Sequence, residues 1–280
     1  MGYDENFLGD EPVPIPDLAP RLRADAVNGG APIEHTRFSV VFSRARGLAL
    51  CTAHMIDGAT MLPEGHIPRR DRFRFDDQVD PALQIDDDRG YRNNPWDRGH
   101  LARRRSLHWG DEDEARTADH ESYFWTNIAP QHERLHDTAW GPIEDWMLER
   151  AEGDDVRAAV FTGPVLTEDD PLHQNAPNEL PFQVPAGFWK VVVVPRENRR
   201  TVACFLVWQR DHDSVHPVTF SPFLEQVRLT TIEFLTGLSF PTLRALDPQQ
   251  FRTGPTRRGL RIPTRSAIRN AIFSPADIVL

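Results

Sequence analysis

Two stretches commit this chain to antiparallel sheet. In RFSVVFSRARGLALCTAHMI, residues 37–56, apolar runs flank the polar turn Ser43-Arg44-Ala45-Arg46-Gly47; in the second, FWKVVVVP and TVACFLVWQ flank the turn Arg196–Arg200. Short apolar, β-branched runs on either side of a polar turn read as β-hairpins, which here predicts a strand near 48–56 and a paired set around 188–209. Between them VRAAVFTGPVL predicts another strand, ending at Gly163-Pro164. Apolar residues at helical spacing predict helices over 112–121, over 139–151, where Ile143, Met147, Leu148 and Ala151 share a face, and over 222–236. The expectation is an α+β fold with a central antiparallel sheet and flanking helices.

Residues 1–36 hold proline, glycine and acids without periodicity and read as an extended arm wrapping a domain over 37–254; a tail over 255–280 follows, basic and then apolar. That tail reads either as a last segment packed on the domain or as a partner-binding piece. With 39% hydrophobic residues the 280-residue chain has enough apolar surface for a large core. No apolar run approaches the roughly 20 residues that cross a bilayer, so no membrane association is expected. The acidic, proline-rich start lacks the pattern of a secretory signal, which points to the cytoplasm and leaves signal-independent export open. Cys51 and Cys204 lie in apolar runs and read as buried free thiols.

A net charge of −10 argues against a global positive field that holds polyanions, so any such binding must come from local cation density. One basic island exists, with Arg92, Arg98, Arg103, Arg104 and Arg105 against the single acid Asp97, just before the acidic run Asp111–Glu114. Lys190 is the sole lysine, a bias read here as genome composition. Within the island, Asp97-Arg98-Gly99-His100 sets an imidazole beside a guanidinium, with a glycine that permits an unusual backbone conformation. The next dense segment places Asn127, Gln131, His132, His136 and Glu144 around the start of an amphipathic helix. Hydrolysis of a phosphodiester needs an activated water, charge stabilisation at phosphorus and help for the leaving oxygen; a histidine, an arginine and a divalent cation meet those needs.

DRGH, followed by TNIAPQ (Thr126–Gln131) and by Trp140 and Glu144, resembles the DNA/RNA non-specific endonucleases of the ββα-metal (His-Me finger), endonuclease G-like type. The resemblance extends loosely over residues 12–240. It implies a ββα-metal finger, with His100 as the general base that deprotonates water and Arg98 holding the scissile phosphate. By the same resemblance Asn127 helps hold the site together, and Glu144 hydrogen-bonds metal-bound water or the groups around it. Asp97 reads as fixing the loop and Trp140 as core.

Where the family supplies an asparagine as the single protein ligand to its metal, this chain has His136. Imidazole suits transition ions better than the hard Mg²⁺, so the expected cofactor is a divalent ion, Mg²⁺ or Mn²⁺, with another transition metal favoured by His136. His132 reads as a second ligand or as a surface residue in a loop. Arg103, Arg104 and Arg105 read either as contacts along a nucleic-acid backbone or as a solvated turn balanced by Asp111–Glu114. No base-reading motif is present, so DNA and RNA are expected to be held through phosphate and sugar. A broad nuclease needs restraint, which implies an inhibitor or regulatory partner, and relatives are often homodimers. The alternatives are a catalytically impaired relative that binds nucleic acid or a partner, and a zinc-stabilised domain using His132 and His136, which lacks the four ligands of a closed structural site.

Overall fold

The computed structural model describes residues 1–70, 72–135, 140–196, 199–209, 224–251, 271–272 and 278. The chain opens with β1 (Asp17–Leu18), α1 (Pro20–Asp25) and β2 (Ile33–His35), followed by the hairpin β3 (Phe38–Ser43) and β4 (Leu48–Asp57). Then come β5 (Trp96–His100), α2 (Glu112–Ser122), β6 (Ile128–His132), a single turn α3 (Glu133–Leu135) and α4 (Gly141–Gly153). β7 (Arg157–Val165), β8 (Leu172–His173) and β9 (Phe182–Gln183) lead to the hairpin β10 (Gly187–Arg196) and β11 (Arg199–Trp208). β12 (Leu224–Val227), α5 (Leu229–Thr236), β13 (Leu238–Ser239) and β14 (Ala271–Ile272) complete the order.

Eight of these strands form one sheet in the order β14-β12-β11-β10-β7-β4-β3-β2, every neighbouring pair antiparallel. Both predicted hairpins are in it, and the α+β class stands. Its two faces bury separate cores. One holds Phe38, Ile56, Phe188 and Val192 against Trp140 and Ile143 of the α4 region, and the other holds Phe161, Trp189, Val191 and Cys204 against Leu229 and Ile232 of α5. Because successive side chains of a strand point to opposite faces, a strand covered on both sides reads as an unbroken apolar run, as Val191–Val194 does. No helix of the described residues is long and apolar enough to cross a membrane.

The helix predicted at 112–121 is α2, begun by Asp111, whose carboxylate accepts from the Glu114 N–H, with Glu112, Asp113 and Glu114 at the positive end of the helix dipole. The helix predicted at 139–151 is α4, and the foreseen face is buried. The helix predicted over 222–236 is corrected: among its described residues, Leu224–Val227 is a strand and only Leu229–Thr236 is helical. Leu224 to Val227 pair with Val207 to Cys204, which satisfies the open edge of β11, a demand that helical spacing cannot register. β7 likewise runs past the predicted stop at Gly163-Pro164 to Val165, because Pro164 and Val165 lie opposite Phe188 and Gly187 of β10; Gly163 stands where a Cβ would lie 2.5 Å from the Leu50 carbonyl oxygen.

The N-terminal segment lies against the sheet through Tyr3, whose N–H donates to Ser39 Oγ and whose hydroxyl donates to the Val13 carbonyl, while β2 forms the sheet's edge. Of the tail after 254, Ala271–Ile272 pairs with Leu224 and Glu225, and the rest apart from Ile278 lies outside the described residues.

Both cysteines are free and buried, and burial pushes each thiol well above its ordinary range. A thiol-specific disulfide reagent at pH 8 should therefore label neither in the native protein and both in denaturant; rapid native labelling would contradict this packing.

Candidate functional site

The segment carrying Arg98 and His100 is not a loop. It is β5, paired antiparallel with β6 in a two-stranded ribbon separate from the main sheet, with Arg98 opposite Pro130 and His100 opposite Ile128. The α4 helix follows β6 after α3. Gly99 has no left-handed backbone to explain it. A Cβ there would lie 2.1 Å from Gln131 Cδ across the ribbon, so glycine is needed for cross-strand space rather than for an unusual conformation. His132 is neither in a loop nor on the surface: it lies buried in β6, edge-on to Trp96, its pairing partner.

Arg98 and His100 are two residues apart on a strand and so share a face. Both meet Phe73: the Arg98 guanidinium lies 5.4 Å from its ring centroid and the His100 ring 5.8 Å away. Tyr123 stands edge-on to both rings, at 5.2 Å from His100 and 5.1 Å from Phe73, and Trp125 stacks on Phe73. This aromatic bed fixes the imidazole and leaves the half-exposed Arg98 head reaching Asp87, an ion pair at 2.5 Å. Sequence reasoning missed Phe73, Tyr123 and Asp87, none of which carries a distinctive spacing.

Asn127 is fully buried at the entrance to β6. Its Oδ1 accepts from the Ala102 N–H at 2.8 Å, and its Nδ2 donates to the carbonyls of Ala102 and Ser122 at 3.0 and 2.9 Å. One side chain thus joins the exit of β5, the end of α2 and the start of β6.

Each arginine of the island's second half is engaged by an acid: Arg103 by Asp145 and Glu144 of α4, Arg104 by Asp119, and Arg105 by Glu152. The alternative of a turn balanced by Asp111–Glu114 is corrected, since those residues open α2 and Glu114 pairs with Arg37. A phosphate approaching Arg103, Arg104 or Arg105 must share or displace a carboxylate. More open cations lie beside Phe73, where Arg70 and Arg72 are exposed and Arg74 is half-buried. Arg74 accepts from the Trp125 N–H through its carbonyl, tying Arg74 to the aromatic bed.

Glu144 is buried on α4, where its Oε1 accepts from Lys190 Nζ at 3.1 Å and its Oε2 lies 3.6 Å from Arg103 Nε. His136 lies outside the described residues, so its position as a ligand is not placed. Among the described residues no group of three or more His, Cys, Asp or Glu is arranged to hold a metal.

The model of one protein family, described as DNA/RNA non-specific endonuclease, matches residues 23–244. A curated relative, "Uncharacterized protein y4fB" of Sinorhizobium fredii (strain NBRC 101917 / NGR234), is 32% identical over 234 residues, covering 75% of this chain and 33% of that protein. The chain thus spans about a third of the length of the curated relative it matches. Among solved structures, a chain of the crystal structure of the EndoG/EndoGI complex, concerned with the mechanism of EndoG inhibition, superposes with a TM-score of 0.55 at 18% identity. That likeness covers 75% of this chain and 84% of the other, and it is a likeness of fold.

Asn127→Ala should lower stability by about 3 kcal/mol, because it strands buried backbone groups that lose their partner. Urea unfolding measures this, and a loss within about 0.5 kcal/mol, typical of an unremarkable surface site, would show that the carboxamide is not a tie. Burial holds His54 well below the ordinary imidazole range, with the nearby Lys190 charge adding to it, and burial lowers His108 as well. Below about pH 6.5 the unfolded chain then binds more protons than the folded one, so stability falls as pH drops from 7 to 5. His54→Leu should flatten that decline; an unchanged slope would remove His54 as its source.

Proposed function

The chain belongs to the DNA/RNA non-specific endonuclease family, and from that premise we propose that it is a divalent-metal-dependent, sugar-non-specific endonuclease that hydrolyses phosphodiester bonds of DNA and RNA. The observation that carries this reading is the pairing of Arg98 and His100 on one face of β5, both seated against Phe73. An anion-binding fork and a titratable base held side by side by a rigid ribbon meet two needs of phosphoryl chemistry. The succession of β5, β6 and α4 supports the ββα-metal finger of this proposal.

In this reading His100 takes the proton from the attacking water as its oxygen adds to phosphorus. Arg98 moves from Asp87 onto the scissile phosphate and offsets charge on its non-bridging oxygens, an exchange of one anion for another on the same guanidinium. Asn127 keeps the ribbon in register, and Arg103, Arg104 and Arg105 meet the backbone on either side. His136 would hold one divalent ion, which when bound supplies positive charge for the phosphate and the departing 3′ oxygen. An imidazole ligand favours Mn²⁺ or another transition ion over Mg²⁺. Recognition through phosphate and sugar gives little sequence preference. An inhibitor or other restraining partner, and a homodimer, belong to the same proposal.

The test is cleavage of supercoiled plasmid and of RNA by the chelated protein resupplied with Mg²⁺, Mn²⁺, Co²⁺, Ni²⁺ or Zn²⁺. Activity is expected with added ion and none in EDTA, with His100→Ala slower by about 10²–10⁴-fold, the range for a positioned general base. Arg98→Lys should not restore what Arg98→Ala loses, since an ammonium lacks the planar fork. Equal cleavage in EDTA would remove the metal from the mechanism, and binding without cleavage under every ion would favour an impaired, nucleic-acid-binding relative.

A further inference from the structure

Lys190 has no ordinary reason to be where it is. It is the chain's sole lysine, it is fully buried in β10 between Phe188 and Val192 on the face covered by α4, and burial lowers the affinity of its amine for a proton. A buried ammonium is costly unless paired and hydrogen-bonded. Its Nζ has two partners, Glu144 Oε1 at 3.1 Å and Thr162 Oγ1 at 3.1 Å, and lies 4.7 Å above the Trp140 ring. The charged or titratable groups around it come from three other elements: Glu144 from α4, Arg103 from the segment after β5, and His54 from β4. Neither ring nitrogen of His54 has a hydrogen-bond partner among the described residues, and desolvation keeps that ring neutral. Glu144 is therefore the one anion facing Lys190 among these groups, and it is gripped on one oxygen by Lys190 and approached on the other by Arg103.

We propose that Lys190 is a positioning residue for the nuclease reaction: from inside the sheet it clamps the Glu144 carboxylate in one orientation, so that Glu144 can act towards the site. The role rests on the functional reading above. The alternative, a purely structural ion pair, is what the test must separate. A structural pair could be exchanged for apolar residues with no effect on chemistry, whereas a clamp acts through Glu144 and leaves its mark on kcat rather than on KM.

The first measurement needs no catalysis. With [¹⁵N]lysine incorporated, the full-length protein gives a single side-chain ammonium signal in NMR. Titrated in wild type and in Glu144→Gln, the amine should lose its proton about one to three pH units lower in the variant, the range expected when a close opposite charge is removed. Identical titrations would overturn the clamp. The second measurement follows plasmid cleavage with the activating ion. Lys190→Met should lower kcat by about 10–100-fold, as loss of a supporting partner does, with KM for DNA little changed.

Lys190→Met/Glu144→Gln should be no slower than Glu144→Gln alone, because the two residues act as a unit. Lys190→Gln, which keeps a donor for Glu144, replaces Lys190→Met if circular dichroism shows the latter unfolded. An active wild type whose Lys190 variants keep the same kcat would overturn this inference alone. A wild type inactive with every ion would overturn the nuclease reading and this role with it, while the NMR titration would still decide whether the pair forms.

Discussion

The carboxamide of Asn127 ties three chain segments together at one buried point. With its oxygen on the Ala102 N–H and its nitrogen on the Ala102 and Ser122 carbonyls, it fixes where β5 ends, where α2 stops and where β6 begins. The ribbon it secures has only five residues in each strand and stands apart from the eight-stranded sheet, so it has few backbone bonds of its own. Short two-stranded ribbons are marginal in water without outside support. The rest of the site inherits its geometry from that support: Arg98 and His100 share a face only while β5 remains a strand, and Phe73 can seat both only while Tyr123 and Trp125 stay behind it.

A second constraint is electrostatic. The chain carries more acid than base, and its arginines around the site are not left as a bare positive patch: Arg98 rests on Asp87, Arg103 on Asp145, Arg104 on Asp119 and Arg105 on Glu152. Such pairs at a half-exposed surface are worth little in stability. They keep long side chains in place. Around Asp119, burial raises the carboxyl while hydrogen bonds from His108 and Arg104 more than reverse this, leaving the acid below its usual range. Deeper in, between sheet and α4, Lys190 and Glu144 are the buried counterpart of these surface pairs.

What the sequence disclosed follows from how each element is stabilised. The hairpins of β3–β4 and β10–β11 and the α2 and α4 helices are legible because local pattern and burial agree: apolar runs around a polar turn, an Asp111 cap, a face of Ile143, Met147 and Leu148. The β5–β6 ribbon is not legible, because Asp97, Arg98, Gly99 and His100 facing Ile128 to Gln131 show no alternation and depend on Asn127 from outside the strand pair. β12 reads as helix because its strand form is dictated by the edge of β11. The candidate site residues His100, Arg98, Asn127 and Glu144 are singled out by a motif. Lys190, 46 residues from Glu144 and hidden in an apolar run, reads as composition in the sequence, although the rarity of lysine in this chain is the signal that singles it out.

In the proposed mechanism His100 on the ribbon and a divalent ion held at position 136 act on one phosphate. Anomalous diffraction from a crystal of the full chain grown with a phosphorothioate oligonucleotide and Mn²⁺ tests it directly. One manganese peak ligated by His136, with the phosphate between it and His100 and with Arg98 on a non-bridging oxygen, is the predicted result. A manganese bound elsewhere, or a phosphate seated away from the His100 imidazole, would contradict it.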